Sequence, residues 1–293
     1  MFERFFKCVA VISVFLLMSG CIDSNTVIKI KPDGSGTIEE TVLMSKEMVA
    51  QMTMMTQQMQ QQMQQSGMET GEGADPSEEA FNMFDENKLK EKASQIGEGV
   101  TYVSGEEFET ETQKGYKAVF AFEDINKIKI NQNPGESVPQ GPGGSGKKEE
   151  YVTFQFTEGK PSSLIITQPV VQPEAEDFGG PEEAEEMEEI DKSDEDMEAS
   201  DMMENPMAQM FKGMRMAIAI EVDGDIIETN ATHREGNIIT LMEMDFGKIL
   251  ENPEKFKEFS KVNPKSVEES KELMKDIPGI KVELNESVEI KFE

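Results

Sequence analysis

Methionine is the side chain whose spacing in this chain most readily suggests chemistry. Two sets of methionines repeat every three or four residues, which predicts one methionine face on each of two helices. The first set is Met48, Met52, Met55, Met59 and Met63, and the second is Met203, Met207, Met210 and Met214. Thioether sulfur is a soft ligand that suits Cu(I), so copper handling is one interpretation. Methionine also fills irregular gaps in a core, and packing on a sheet or a partner is the simpler interpretation.

Other candidate motifs depart from the patterns that their chemistry needs. Gly141 to Lys148 nearly match a phosphate loop, but Lys148 replaces the hydroxyl that binds Mg²⁺ and a Pro-rich stretch precedes it. His233 lies in a predicted turn and is interpreted as a surface residue. Asn230-Ala-Thr232 is a glycosylation sequon, which matters only in a host with the machinery. We therefore predict no catalytic residue, no cofactor-binding residue and no metal ligand.

The chain is strongly acidic. Its 28 Lys and Arg against 59 Asp and Glu give a formal net charge of −31, which excludes a sequence-independent nucleic-acid binder because such proteins need basic contacts to phosphate. Residues 172–205 are rich in acidic side chains, and Lys192 is the one basic residue among them. No calcium loop fits there, because the positions that need Gly and Glu are Asp196 and Met202 when the loop starts at Asp191. We predict a solvated, disordered spacer.

The first 21 residues have the pattern of an export signal. Arg4 and Lys7 precede an apolar run at 8–18. A helix needs about 20 apolar residues to cross a bilayer, so this run is too short to span it and instead predicts a signal peptide over 1–20. Met18-Ser19-Gly20-Cys21 resembles the bacterial lipobox L-[AS]-[GA]-C, with Met18 in place of Leu. The resemblance implies cleavage before Cys21 and a diacylglyceryl group on its sulfur, often with a further acyl chain such as palmitate. Two or more chains anchor a protein stably.

Alternating apolar positions around turn residues predict β-hairpins. The predicted strand pairs are 27–31 with 37–44, 100–109 with 115–122, 151–157 with 163–167, and 216–222 with 226–232, followed by 237–244. Asp223-Gly224 is the strongest of the turn signals. The run from Ile280 to Phe292 alternates with polar residues and predicts one half-buried strand.

Capping residues and apolar spacing predict helices between these strands. The predicted ranges are 46–65 after Ser45, 87–96, a short helix opened by Asn252-Pro253, and 266–275 with a capping box at Ser266 and Glu269. We therefore expect an α+β fold, with a largely antiparallel sheet built from hairpins and several packed helices.

The predicted elements form one composite domain interrupted by loops. After the signal peptide at 1–20, residues 21–131 are the first half with the Met-rich helix, 132–149 a flexible linker and 150–171 a hairpin. Residues 172–205 are the acidic insertion, and 206–293 are the second half.

The order of these features resembles that of uncharacterised bacterial lipoproteins. Cys21, the strand at 27–31, Asp33-Gly-Ser-Gly, a strand ending at Met44-Ser45 and then a helix are similar in arrangement to the LppM-type lipoprotein domain family. The strand-like stretch 115–125 and the block 218–243 also fit that arrangement. The resemblance implies an envelope-facing α+β domain without established catalytic residues, so only Cys21 is carried over.

These features predict a non-enzymatic, lipid-anchored protein of the cell envelope, on the extracytoplasmic side. Ile22 after Cys21 resembles outer-membrane sorting if the host has two membranes. The expected partners are the membrane, through the lipid, and an envelope protein or hydrophobic ligand of unknown identity; no cofactor is expected. Two alternatives stay open: a carrier of a lipid or other hydrophobic ligand between the sheet and the methionine-lined helix, and methionine-based copper handling.

Overall fold

Two β-sheets form the structure, a computed structural model that describes residues 21–51, 53, 54, 84–131, 151–169, 213–251, 274, 275 and 277–293. The strands are β1 (Ile22–Ile30), β2 (Gly36–Ser45), β3 (Thr101–Glu109), β4 (Gln113–Phe122), β5 (Lys129–Asn131), β6 (Tyr151–Thr157), β7 (Ser162–Thr167), β8 (Met214–Val222), β9 (Ile226–Thr229), β10 (Arg234–Glu235), β11 (Ile238–Asp245), β12 (Ile280–Val282) and β13 (Ser287–Phe292). The eight-stranded sheet has the order β10-β11-β8-β1-β2-β4-β3, with β12 also paired to β11, and the five-stranded sheet has the order β5-β6-β7-β13-β9.

β11 pairs across its turn with the two-residue β10, where no strand was predicted. Three predicted hairpins are confirmed: β1 with β2, β3 with β4, and β6 with β7. In the first of them Gly34 has a φ of +80°, a conformation that costs glycine little. The Lys31 amide donates to the Ser35 carbonyl across the turn, at 2.8 Å. Local turn chemistry therefore sets the pairing of strands that are neighbours in sequence.

The hairpin expected at Asp223-Gly224 is wrong. β8 pairs with β1 and β11 in the eight-stranded sheet, whereas β9 pairs with β13 in the five-stranded sheet. The turn carries the chain from one sheet to the other, and the Asp223 amide donates to the Ile30 carbonyl at 2.8 Å. The turn sequence favours a change of direction, but the partner of the next strand is chosen by which sheet buries its apolar face.

Two further expectations about the strands need correction. The C-terminal run divides into β12 and β13, which lie in different sheets. The pair β1 and β8 is parallel, so the sheet is mixed; a parallel pair needs a long crossover, and most of the chain separates these two strands.

Helices are fewer among the described residues than we expected. α1 (Glu86–Ile96) confirms the prediction at 87–96, and Asp85 caps it by accepting from the amides of Asn87 and Lys88. Residues 46–51 are helical, with the Ser45 hydroxyl accepting from the Met48 amide at 3.1 Å. A short helix, α2 (Phe246–Leu250), was not predicted. The predicted helix at Asn252 and most of 266–275 lie outside the described residues. This part of the chain is mainly β, so several packed helices are not supported.

One hydrophobic core joins the two sheets and α1. Both sheets turn their alternate apolar side chains toward it, as in β13, where Val288, Ile290 and Phe292 are buried and the residues between them are exposed. Leu89 and Ala93 of α1 belong to the same cluster. We call the face of the eight-stranded sheet that lines this core its inner face and the opposite one its outer face. Within the described residues, no helix is both long enough and apolar enough to cross a bilayer.

Gly115 of β4 provides a test of how tightly β4 and β2 pack. A Cβ atom at this position would lie 1.9 Å from the Val42 carbonyl oxygen, so Gly115→Ala must push the two strands apart. We expect it to lower the free energy of unfolding by about 1–3 kcal/mol, measured by urea denaturation.

Gly99→Ala is the matched control, because a Cβ there meets nothing within 4 Å and only the positive φ of +81° opposes it. That strain costs about 1 kcal/mol. A smaller loss for Gly115→Ala than for Gly99→Ala would contradict the close approach of β4 to β2.

Candidate functional site

Cys21 lies at the start of β1, at one end of the eight-stranded sheet. Its carbonyl accepts a hydrogen bond from the Ser45 amide at 2.7 Å, and the next residue, Ile22, donates to the Gly213 carbonyl at 3.2 Å. The thiol is free and partly buried. The backbone beside Cys21 is therefore held by both neighbouring segments, so the predicted lipid attachment point leads straight into ordered strand.

Cys21 packs against a small apolar cluster. Ile22, Met44, Met48 and Val49 are buried together, and Cys21 and Met214 pack against them. Met48 of the first predicted methionine face thus packs in the protein. Met214, expected on a helix in the second set, lies on β8 instead. The other predicted members, Met52, Met55, Met59, Met63, Met203, Met207 and Met210, lie outside the described residues.

Charged side chains occupy the outer face at the same end of the sheet. Asp23 and Asp245 both lie opposite Arg215 in the strand register, and Lys281 lies opposite Glu243. Arg215 donates to Glu243 at 3.0 Å, and its other terminal nitrogen lies 3.7 Å from Asp23. Lys281 lies 3.1 Å from Glu243. We call these five residues the outer charge cluster.

The pKa values of Asp23 and Glu243, which both lie beside Arg215, shift in opposite directions. Burial raises the pKa of Asp23 above its ordinary value, and the attraction of Arg215 only partly opposes this. Burial also acts to raise the pKa of Glu243, but hydrogen bonds from Arg215 and Lys281 outweigh it and hold that pKa below its ordinary value. Among the described residues, no group of three His, Cys, Asp or Glu side chains is placed to hold a metal ion.

A buried carboxylate, Glu40, lies on the inner face under α1. It accepts hydrogen bonds from the Tyr116 hydroxyl and from the Lys92 ammonium, the latter at 2.6 Å. Burial, reinforced by the neighbouring Glu40 carboxylate, raises the pKa of the Tyr116 hydroxyl. Both oxygens of Glu40 have partners within the protein, and this arrangement fastens α1 to β2 and β4.

The remaining candidate residues either form hydrogen bonds with backbone groups or lie outside the described residues. The Asn230 side chain of the sequon donates to the Ser287 carbonyl at 3.0 Å and accepts from the Glu289 amide at 2.7 Å. His233 is half-buried, and its carbonyl accepts from the Thr240 amide at 3.0 Å. Gly141–Lys148 and the acidic residues 172–205 lie outside the described residues.

Sequence reasoning missed the polar clusters that the described residues form. Glu283, for example, is 1% exposed, and its carboxylate accepts from the amide and hydroxyl of Thr232, both at 2.7 Å. Glu283 is one of 59 acidic residues, and its partner is far away in sequence. A glutamate at an inward position of a strand, as Glu40 is, was the one local signal available.

Removing the Glu40 carboxylate should destabilise the fold, because the Tyr116 hydroxyl would stay buried without an acceptor. We expect Glu40→Ala to lower the free energy of unfolding by about 2 kcal/mol. Glu39→Ala is the matched control: Glu39 is 44% exposed and pairs with Lys29 at the surface, which is worth less than about 1 kcal/mol. Urea denaturation of both variants gives the comparison, and equal losses would contradict a fastening role for Glu40.

Alkaline pH should weaken the fold through Tyr116. Because its pKa is higher in the folded than in the unfolded state, its contribution to stability is complete below the unfolded pKa of about 10 and is lost as the pH rises above that value. We therefore expect the free energy of unfolding to fall more steeply above about pH 10 for the native protein than for Tyr116→Phe. Tyr102→Phe, which keeps Tyr116, should retain the native slope. Parallel slopes for native protein and Tyr116→Phe would refute the effect.

Comparison with known proteins gives little guidance. No protein-family model matches the chain, and no curated protein matches it. Among solved structures, the NMR structure of the folded domain of the Mycobacterium tuberculosis LppM protein is similar over 96% of this chain and 95% of that one, with 8% sequence identity and a TM-score of 0.31. This similarity is loose, so the function has to be argued from the residues of this chain.

Proposed function

We propose that this protein is a lipid-anchored component of the cell envelope whose folded domain lies directly against the membrane surface and acts by binding, not by catalysis. The observation that carries the proposal is the position of Cys21, the lipobox cysteine, at the first residue before β1. An acyl group on its sulfur would hold the end of the eight-stranded sheet at the lipid headgroups.

The distance between the anchor and the fold is short. Ile22 is already a β1 residue with a backbone hydrogen bond to Gly213, and a strand advances about 3.3 Å per residue. A domain attached in this way keeps one end near the bilayer and has little freedom to reorient. It would present the opposite end of the sheet, and the edges, to partners in the envelope.

A binding role agrees with the contacts of three buried or half-buried glutamates among the described residues. Glu40, Glu243 and Glu283 each have their carboxylate oxygens engaged by donors of the protein. Groups that do acid–base chemistry must reach a substrate proton, and a carboxylate buried under α1, as Glu40 is, contributes to stability instead.

Carriage of a hydrophobic ligand is less well supported than anchoring. The proposed groove lies between the sheet and the methionine-lined helix, but Met44 and Met48 are buried together there with Ile22 and Val49. In the described part of this region the apolar side chains cover one another.

The anchor is tested with Cys21→Ala and the matched control Cys8→Ala, whose cysteine lies within the predicted signal peptide. We expect Cys21→Ala to abolish acylation and to move the protein from the membrane to the aqueous fraction. Cys8→Ala should leave the protein in the membrane. Fractionation followed by blotting gives the distribution, and intact-mass analysis of the detergent-extracted protein should show a chain that begins at a modified Cys21. A membrane-bound Cys21→Ala protein, or a native chain with an unmodified Cys21, would overturn the proposal.

A further inference from the structure

Four methionines lie together on two neighbouring strands near the Cys21 end of the eight-stranded sheet. Met214 and Met216 belong to β8, and Met242 and Met244 belong to β11. Met216 lies directly opposite Met244 in the register, and Met242 lies opposite Ile218. Because side chains two residues apart on a strand share a face, all four lie on the inner face.

The strand register brings three of these methionines close to one another. Side chains directly opposite each other on antiparallel strands have Cβ atoms about 4.5–5.5 Å apart, and diagonal neighbours about 7–8 Å. Met216 and Met244 are a direct pair, and Met214 is the diagonal neighbour of Met244. The methionine side chain is unbranched with three rotatable bonds, so these three sulfurs can converge. Met242 packs against the main core, whereas Met214 packs against the small cluster that contains its register partner Ile22.

The surroundings of the three sulfurs suit a soft cation. Their neighbours on the same face are Ile22, Ser24 and Thr26 of β1, and Ile280 and Val282 of β12. The charged residues Asp23, Arg215, Glu243 and Lys281 alternate with these and lie on the outer face. On these described strands a hard cation would therefore meet only the hydroxyl oxygens of Ser24 and Thr26. Thioethers select Cu(I).

The ion can reach this site from solvent. Met216 is buried, but Met214 and Met244 are only partly buried. The formal charge of −31 also raises the concentration of cations around the protein.

We propose that Met214, Met216 and Met244 form a thioether site for Cu(I) on the strands of the eight-stranded sheet. The site uses different residues from the two methionine faces predicted from helical spacing, except for Met214. None of its ligands is Cys21, although Met214 packs against the same small cluster as Cys21.

Anaerobic competition for Cu(I) against a chromophoric chelator tests the site. The protein is the chain from residue 21 onward with Cys21→Ser, which leaves no thiol to compete and separates the result from the fate of the anchor. We expect one equivalent of Cu(I) to transfer from the chelator. Met216→Leu with Met244→Leu should weaken binding by about tenfold or more, whereas Met54→Leu, at an exposed methionine, should bind as before. No transfer to the parent protein, or equal binding by the double variant, overturns the proposal.

A second comparison separates the strand site from the predicted helical face. Replacing Met52, Met55, Met59 and Met63 together by Leu should leave the affinity unchanged, and a loss there with binding retained in the double variant would assign the copper to those residues. Met-to-Leu changes conserve volume and usually cost less than about 1.5 kcal/mol, and circular dichroism checks that each variant is folded. If the double variant does not fold, NMR of the ¹³C-labelled methionine methyl groups of the parent protein tests the site. Adding Ag(I) should shift the signals of Met214, Met216 and Met244 and leave that of Met54 in place. Unshifted signals from the three residues would refute the site.

Discussion

Pairing along both edges of β1 is the constraint on which the rest of the structure depends. From Ile22 to Ile30 every residue of this strand has a partner in β2 and another in β8. β2 follows β1 after a tight turn, whereas β8 comes from the far part of the chain. A sheet with a gap at β1 would leave two rows of backbone groups without partners, which is costly in a protein interior. The two parts of the chain therefore complete a single sheet together.

The alternation of side chains along β1 and β8 separates two kinds of chemistry at the Cys21 end. One set of positions carries Asp23 and Arg215 to the outer face, where Glu243 and Lys281 join them. The positions between them carry Ile22, Met214 and Met216 to the inner face. Ion pairs thus form on one side of the sheet and methionine side chains gather on the other, at the end of the sheet that carries the residue we propose to be lipidated.

Two buried glutamates connect separate elements of this fold through hydrogen bonds. Glu40 joins α1 to the sheet through Lys92 and Tyr116, and Glu283 joins the segment between β12 and β13 to Thr232. A protein with such an excess of acids gains stability from these few carboxylates because each is surrounded by donors. The many exposed acids contribute mainly to the negative field.

The sequence by itself determined the local part of this structure. Turn residues identified the hairpins β1–β2, β3–β4 and β6–β7, and apolar spacing identified α1, because these signals act between residues close in the chain. Local sequence also identified Cys21 as the candidate residue for lipidation, and that lipidation stays a prediction.

Only the tertiary structure decided which strands meet across long distances. Asp223-Gly224 reads locally as a hairpin, yet the apolar faces of β8 and β9 are buried in different sheets, and the C-terminal run divides for the same reason. Met214 fits a helical spacing but lies on a strand, since β1 offers β8 a complete row of backbone partners. Glu40 and Arg215 acquire their roles from partners that the sequence places far away. Burial and long-range pairing outweigh local propensity at these positions, and they are decided when the two sheets close on one core.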